Sequence, residues 1–159
     1  MPLKTTILKG TILQHAGARH TKVYQVKQGL LRSYTIDQKG KEHIFMFAPE
    51  GWIIADSRPP DDPCDLFIDA LEDSEVVIAE KKFEQQSLAP QALLKRIAVL
   101  QERVLMLMSS PAIERYEHFT KTYPDMLQRV PQRMIASYLG ITPEALSHLK
   151  RISKERGNP

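Results

Sequence analysis

Pro131-Gln-Arg-Met-Ile-Ala-Ser-Tyr-Leu-Gly140-Ile-Thr-Pro-Glu-Ala-Leu-Ser-His-Leu-Lys-Arg-Ile152 reads as two short helices joined by a tight turn. Ala136 supplies a small side chain where the helices must approach, and Gly140 offers the permissive backbone needed just after the first helix ends. Ile135, Leu139, Ile141, Leu146 and Leu149 recur at helical spacing and form an apolar wedge between the two. Thr142 is placed as an N-cap and Pro143 as a first-turn proline, which together mark the start of the second helix. The spacing predicts a helix-turn-helix whose core runs from Gln132 to Ile152, with Glu144, Ser147, His148 and Arg151 on the exposed face of its second helix.

That face carries hydrogen-bonding groups of the kind that reach base edges in a major groove, which is wide enough to admit one helix. Glu144 can accept from a cytosine amino group, and Ser147 and His148 can donate or accept at neighbouring bases. These three are the candidate base contacts. Arg133, Thr142, Lys150 and Arg151 are the candidates for phosphate or further base contact.

The charge distribution agrees with a polyanionic partner. The net charge is +3. Residues 1–110 carry 14 basic and 14 acidic side chains, so the whole surplus lies in residues 111–159, with 8 basic against 5 acidic. A basic end favours a phosphate backbone, because each neutralised phosphate releases counterions. A charged, solvated tail would show the same surplus.

Upstream, from Thr5 to about Lys82, the pattern is one of short β-rich runs. They are Thr11–Leu13, Lys22–Lys27, Leu30–Ile36, Glu42–Phe47, Trp52–Ile54, Asp65–Ala70 and Glu75–Ala79. Such spacing predicts a small antiparallel barrel or jelly roll. Gly17, Gly29, Gly40 and Gly51 fall at intervals of 11 or 12, and Asp37-Gln-Lys-Gly40 predicts a hairpin turn. No Gly-rich phosphate loop of the Walker or dinucleotide type is present.

After Pro90 the period changes from two to helical. Leu93, Ile97, Leu100, Val104 and Leu107 are spaced 4, 3, 4 and 3, a heptad seam expected to pair two copies of the chain. Leu94, Ala98, Leu105 and Met108 widen the apolar surface, and a purely intramolecular core helix is the alternative. Ser109-Ser110-Pro111 is expected to end this helix, cap the next at about 112–122 with a serine side chain, and form a hinge. The second helix should stop before Tyr123-Pro124, and Asp125 should open a short turn of helix through Arg129.

Taken together, the chain resembles the Crp/Fnr family of transcription regulators. The likeness runs from Gln25-Val-Lys-Gln-Gly-Leu-Leu-Arg-Ser-Tyr34 through the seam helix to Arg129-Val-Pro-Gln-Arg-Met-Ile-Ala-Ser-Tyr-Leu-Gly-Ile-Thr-Pro-Glu-Ala-Leu-Ser147, its most specific part. The resemblance implies an α+β fold with three parts: a cyclic-nucleotide-binding-like β-roll (jelly roll) sensor over residues 1–86, a dimerisation helix over 87–110, and a winged-helix-like helix-turn-helix DNA-binding domain over 111–159. It also implies a cytoplasmic homodimer on a two-fold symmetric operator in double-stranded DNA. Glu144 and His148 fall where the family commonly has a glutamate and an arginine that contact bases, and the histidine departs from that pattern.

Two further departures shape the expectation. The family's pocket has a Gly-Glu pair followed by an arginine and small residues around the cyclic phosphate, whereas Gly51-Trp-Ile-Ile-Ala-Asp-Ser-Arg58-Pro-Pro-Asp-Asp-Pro-Cys64 has no such arrangement. No cyclic AMP binding and no cofactor are expected, and Arg58 reads as a surface arginine. An unidentified small-molecule effector in the roll is left open. The sequence also lacks the helical lead-in usual for the family and has little chain for a full β-wing.

Other classes are disfavoured. His15, His20, His43, His118 and His148 show no paired metal-ligand spacing, and Asp61, Asp62 and Asp65 lie among prolines as a polar loop. No catalytic residue is assigned and the chain is not expected to be an enzyme. The lone Cys64 forms no internal disulfide and reads as a reduced, buried thiol. No run approaches the roughly 20 apolar residues of a membrane helix. The remaining alternative is a ligand-sensing or protein-interaction module of β-roll fold that does not bind DNA.

Overall fold

The computed structural model describes residues 3–81 and 90–157; within the helix that opens the second stretch, the side chains of residues 90–93, 95, 96 and 99 are not described. The chain divides into two compact units, Met1–Gln86 and Ser87–Pro159.

The first unit is the expected β-roll. Its strands are β1 (Leu3–Ile7), β2 (Ile12–Gln14), β3 (Lys22–Gln28), β4 (Leu31–Ile36), β5 (Glu42–Ala48), β6 (Ile53–Ile54), β7 (Phe67–Ala70) and β8 (Ser74–Glu80). They form two four-stranded sheets, ordered β1-β8-β3-β6 and β2-β7-β4-β5, with antiparallel pairing throughout. Alternation places Tyr24 and Val26 of β3, Leu31 of β4, Ile54, Ile68 and Val76 in one apolar core.

The β4–β5 hairpin forms where the sequence places it. Gly40 takes φ 78°, and Asp37 Oδ1 accepts from the amides of Lys39 (2.8 Å) and Lys41 (3.0 Å). Most strands differ from the sequence reading by one residue at an end, and β1 and β7 differ by more. β1 is a strand that the sequence pattern does not announce: it carries little apolar alternation and is held as an edge of its sheet, paired only with β8. β7 opens at Phe67 rather than Asp65, because the amides of Asp65 and Leu66 donate to the buried Asp56 carboxylate, both at 3.0 Å.

Arg32 is the unexpected residue of the roll. It follows the core residue Leu31, so it points to the opposite face of β4, yet it is buried. Its guanidinium donates bidentately to Asp69 at 2.8 and 2.9 Å and to Glu42 at 2.6 Å, and lies 4.1 Å from the centre of the Tyr34 ring. Burial alone would lower its pKa; the hydrogen bonds to Asp69 and Glu42 more than reverse this and hold it above the ordinary arginine value.

The second unit holds α1 (Pro90–Ser109), α2 (Ala112–Thr122), α3 (Met126–Arg129), α4 (Gln132–Leu139) and α5 (Pro143–Glu155). The serine cap expected for α2 is not made. Pro111 occupies the N-cap position without a side-chain bond, and Ser109 Oγ instead donates to Leu105 O at 2.6 Å within its own helix. Asp125 precedes α3 but likewise makes no side-chain cap. Phe119, Tyr123 and Tyr138 form an aromatic cluster with centroids 5.3 to 5.7 Å apart, and Arg103 of α1 lies 4.1 Å from the centre of the Tyr138 ring. Among the described residues no strand follows α5.

Candidate nucleic-acid interface

The turn between α4 and α5 is set by backbone chemistry. Gly140 sits at φ 67°, ψ 35°, the left-handed region that an L side chain enters only at a cost. Its amide donates to Ser137 O at 3.2 Å and the next amide, Ile141, donates to Ala136 O at 3.0 Å. This pair is the Schellman arrangement, and it satisfies two carbonyls that would otherwise end α4 unpaired. Two residues later Thr142 Oγ1 accepts from Ala145 N at 3.2 Å, and Pro143 takes the first helical position. The sequence reading of this turn therefore holds residue by residue.

Packing then decides which face of α5 is free. Ile135, Ala136 and Leu139 of α4 and Leu146 of α5 are fully enclosed, Leu149 is buried and Ile141 half-buried. Ser153 closes the underside of α5. With that stripe held inward, the helical period turns Glu144, Ser147, His148 and Arg151 outward, and all four are exposed.

Three of these groups make side-chain contacts within α5. Ser147 Oγ donates to Pro143 O at 3.1 Å, which leaves its oxygen as an acceptor. Arg151 Nη2 lies 3.0 Å from His148 Nδ1. Beside this stripe, Gln132 of α4 and Ser147, Lys150, Arg151 and Lys154 of α5 line one shallow groove. Arg133 and Thr142 are exposed near it in sequence but do not line it. Sequence reasoning passes over Gln132 and Lys154. Lys154 follows Ser147 and Arg151 at i+7 and i+3, so the helical period could have found it. Gln132 carries no such signal, since only the packing of α4 against α5 brings it to the groove.

The combination of an antiparallel two-sheet roll, a 20-residue helix and this helix-turn-helix recurs in solved structures along almost the whole chain. The fold is that of the Crp/Fnr transcription regulators. FixK2 from Bradyrhizobium japonicum superposes with a TM-score of 0.76 at 21% identity, over 99% of this chain and 86% of that one. A Crp/Fnr-family transcriptional regulator from Thermus thermophilus gives 0.73 at 14% identity over 98% and 87%. A CooA mutant from Carboxydothermus hydrogenoformans gives 0.66 at 22% identity over 98% and 78%. No protein-family model and no curated protein matches the sequence.

The loop between β6 and β7 holds Arg58 among the carboxylates of Asp56, Asp61, Asp62 and Asp65. Arg58 is engaged there by Asp65, with Nε donating at 2.7 Å, and Asp65 ahead of Asp62 and Asp56 raises the arginine above its ordinary pKa. Cys64 is buried as expected, its thiol 3.1 Å from His15 O. Among the described residues no three His, Cys, Asp or Glu side chains form a group that could hold a metal ion, and no helix is long and apolar enough to cross a membrane.

On α1, Ile97, Leu100, Val104 and Leu107 of the expected seam are exposed, as are Leu94, Leu105 and Met108. The side chain of Leu93 lies outside the described residues.

Proposed function

We propose that this protein is a DNA-binding transcription regulator that acts as a cytoplasmic homodimer on a two-fold symmetric operator. The observation that carries the reading is the outward stripe Glu144, Ser147 and His148, flanked by the cationic groove of Lys150, Arg151 and Lys154, on the second helix of a helix-turn-helix. In a major groove the stripe meets base edges while Arg133, Thr142, Lys150 and Arg151 meet phosphates or further base edges, with Gln132 and Lys154 added from the groove.

A monomer with seven large apolar side chains exposed on one helix, from Leu94 to Met108, has strong reason to self-associate. Pairing along Leu93, Ile97, Leu100, Val104 and Leu107 buries them and sets two recognition helices about one helical turn of DNA apart. The assignment of residues 1–86 to a sensor, 87–110 to dimerisation and 111–159 to DNA reading belongs to this proposal.

Cyclic AMP is not the effector in this reading. A cyclic phosphate entering the β6–β7 loop would have to displace Asp65 from Arg58 and lie among the carboxylates of Asp56, Asp61, Asp62 and Asp65. No catalytic role is proposed for any residue.

Selection from randomised duplexes with the purified chain, at stated salt, tests the whole reading. A two-fold symmetric sequence with half-sites about one turn, or roughly 10 base pairs, apart is the expected product. Recovery of no sequence by a protein that sediments as a dimer would replace the regulator by an interaction module.

A further inference from the structure

We propose that the helical unit carries a binding site for a small zwitterion with an apolar body, of which a free apolar α-amino acid is the simplest example. The site lies on the inward side of α5, away from the exposed stripe, and the inference stands apart from the DNA-reading proposal.

Ser153 marks the place. The inward stripe of α5 runs Leu146, Leu149, Ser153, spaced 3 and 4, so helical periodicity calls for a third large apolar residue where the serine stands. Ser153 is only 3% exposed, yet its hydroxyl makes no hydrogen bond to any described residue. The helical hydroxyls of Ser109, Thr120, Thr122 and Ser147 each donate to a carbonyl of their own helix. A buried hydroxyl that lacks such a bond is costly unless another group satisfies it.

The short side chain borders a cleft of about 480 Å3 between α2, α3 and α5. Small-molecule sites span roughly 300–1,000 Å3, so the volume suits a metabolite-sized ligand. Glu117, Thr120 and Lys121, at i, i+3 and i+4, line it from one face of α2. Pro124, Leu127 and Gln128 line it from the α2–α3 turn and α3. Glu four residues before Lys is the order in which two helical side chains pair best, but Lys121 makes no ion pair or hydrogen bond to any described residue. The Gln128 carboxamide is equally without a described partner.

Charge then sets the class of ligand. A simple anion meets the Glu117 carboxylate as well as Lys121, and a simple cation meets Lys121 as well as Glu117. A zwitterion satisfies both, with its carboxylate on the Lys121 ammonium and the Gln128 amide and its own ammonium on Glu117. Pro124 and Leu127 offer its apolar body a surface, and Ser153 Oγ can donate to or accept from either end. Such a ligand ties α2 and α3 to α5, so occupancy stabilises the unit.

The test uses the full chain. Calorimetric titration and thermal unfolding are run with L-leucine and L-phenylalanine, and with the amide and the N-acetyl derivative of each, which lack one of the two charges. At least one amino acid should bind saturably and raise the thermal midpoint with concentration, and its two blocked forms should bind about tenfold or more weakly. Lys121→Met, at an exposed position, should lower the affinity for the amino acid to that for its amide. Ser153→Leu completes the apolar stripe and fills the cleft, so it should keep or raise the thermal midpoint of the ligand-free protein and abolish binding. No saturable binding below about 10 mM, equal affinity for the blocked forms, or undiminished binding in either variant overturns the inference. Should Ser153→Leu fail to fold, the Lys121→Met comparison decides by itself.

Discussion

Replacing Gly140 by alanine isolates the backbone contribution to the turn that orients α5. A Cβ built on Gly140 would meet Arg115 Nη1 at 3.7 Å and Leu107 Cδ2 at 4.0 Å, which is ordinary contact with no overlap. The cost therefore comes from φ 67° alone, and an L side chain in the left-handed region loses about 1–2 kcal/mol. In a domain of roughly 60–100 residues each kcal/mol lowers the thermal midpoint by about 4–8 °C. Urea unfolding of the full chain, followed by far-ultraviolet circular dichroism, should show this loss in the helical transition with an unchanged slope. Gly140→Asn should lose less, since asparagine tolerates the left-handed region. A loss above about 3 kcal/mol for alanine would mean that steric overlap dominates. No loss would mean that the left-handed cap is not held, contrary to the pairing of the Ser137 and Ala136 carbonyls.

The roles along α5 separate by their salt response. Glu144→Ala should relax the preference for its base by about 1–3 kcal/mol, while Lys150→Ala should weaken all sequences alike and reduce the salt slope by about one; equal behaviour of the two variants would refute the division. In the roll, Asp69→Ala leaves a buried guanidinium half-paired and should cost about 3 kcal/mol, whereas Glu42→Ala, which removes a side chain that is 43% exposed, should cost about 1 kcal/mol or less; denaturant titration giving the reverse order would refute the ranking. The β4–β5 turn contributes a pH dependence. Asp37 lies below the ordinary aspartate value of 3.8, first through its bond to His43 and then through the Lys41 amide, so its stabilisation is present above that value and lost as pH falls through the lower folded one. Asp37→Asn keeps an acceptor for the turn amides, and its stability deficit against wild type should shrink as pH falls below about 4; a deficit that grows over that range would refute the assignment.

The roll and the helix-turn-helix are legible for different reasons. The turn at Gly140 is written in adjacent residues: a glycine for the left-handed cap, a threonine to receive the first free amide, and a proline that cannot continue the preceding chain. The Asp37–Gly40 hairpin is legible in the same way, because both signals concern φ angles and hydrogen bonds within five residues. The apolar wedge needs only the helical period, which also exposes Glu144, Ser147 and His148 on the opposite face. Where a residue's partner is remote, the same reasoning stops. It fails at close range too when one hydroxyl has two local uses: the serines at 109 and 110 read as acceptors for free helix amides, yet Ser109 donates to the Leu105 carbonyl of its own helix.

What the sequence alone determined is thus the class of the local elements other than β1 and the face that α5 presents. Tertiary structure decided the rest: that Arg32 is locked to Asp69, 37 positions away, that β7 starts only after Asp56 has taken two amides, and that Gln132 joins Lys154 in one groove. The reason is physical. A turn or a helical stripe is stabilised by atoms a few residues apart, whereas these contacts depend on strand register and helix packing, which many distant side chains settle jointly.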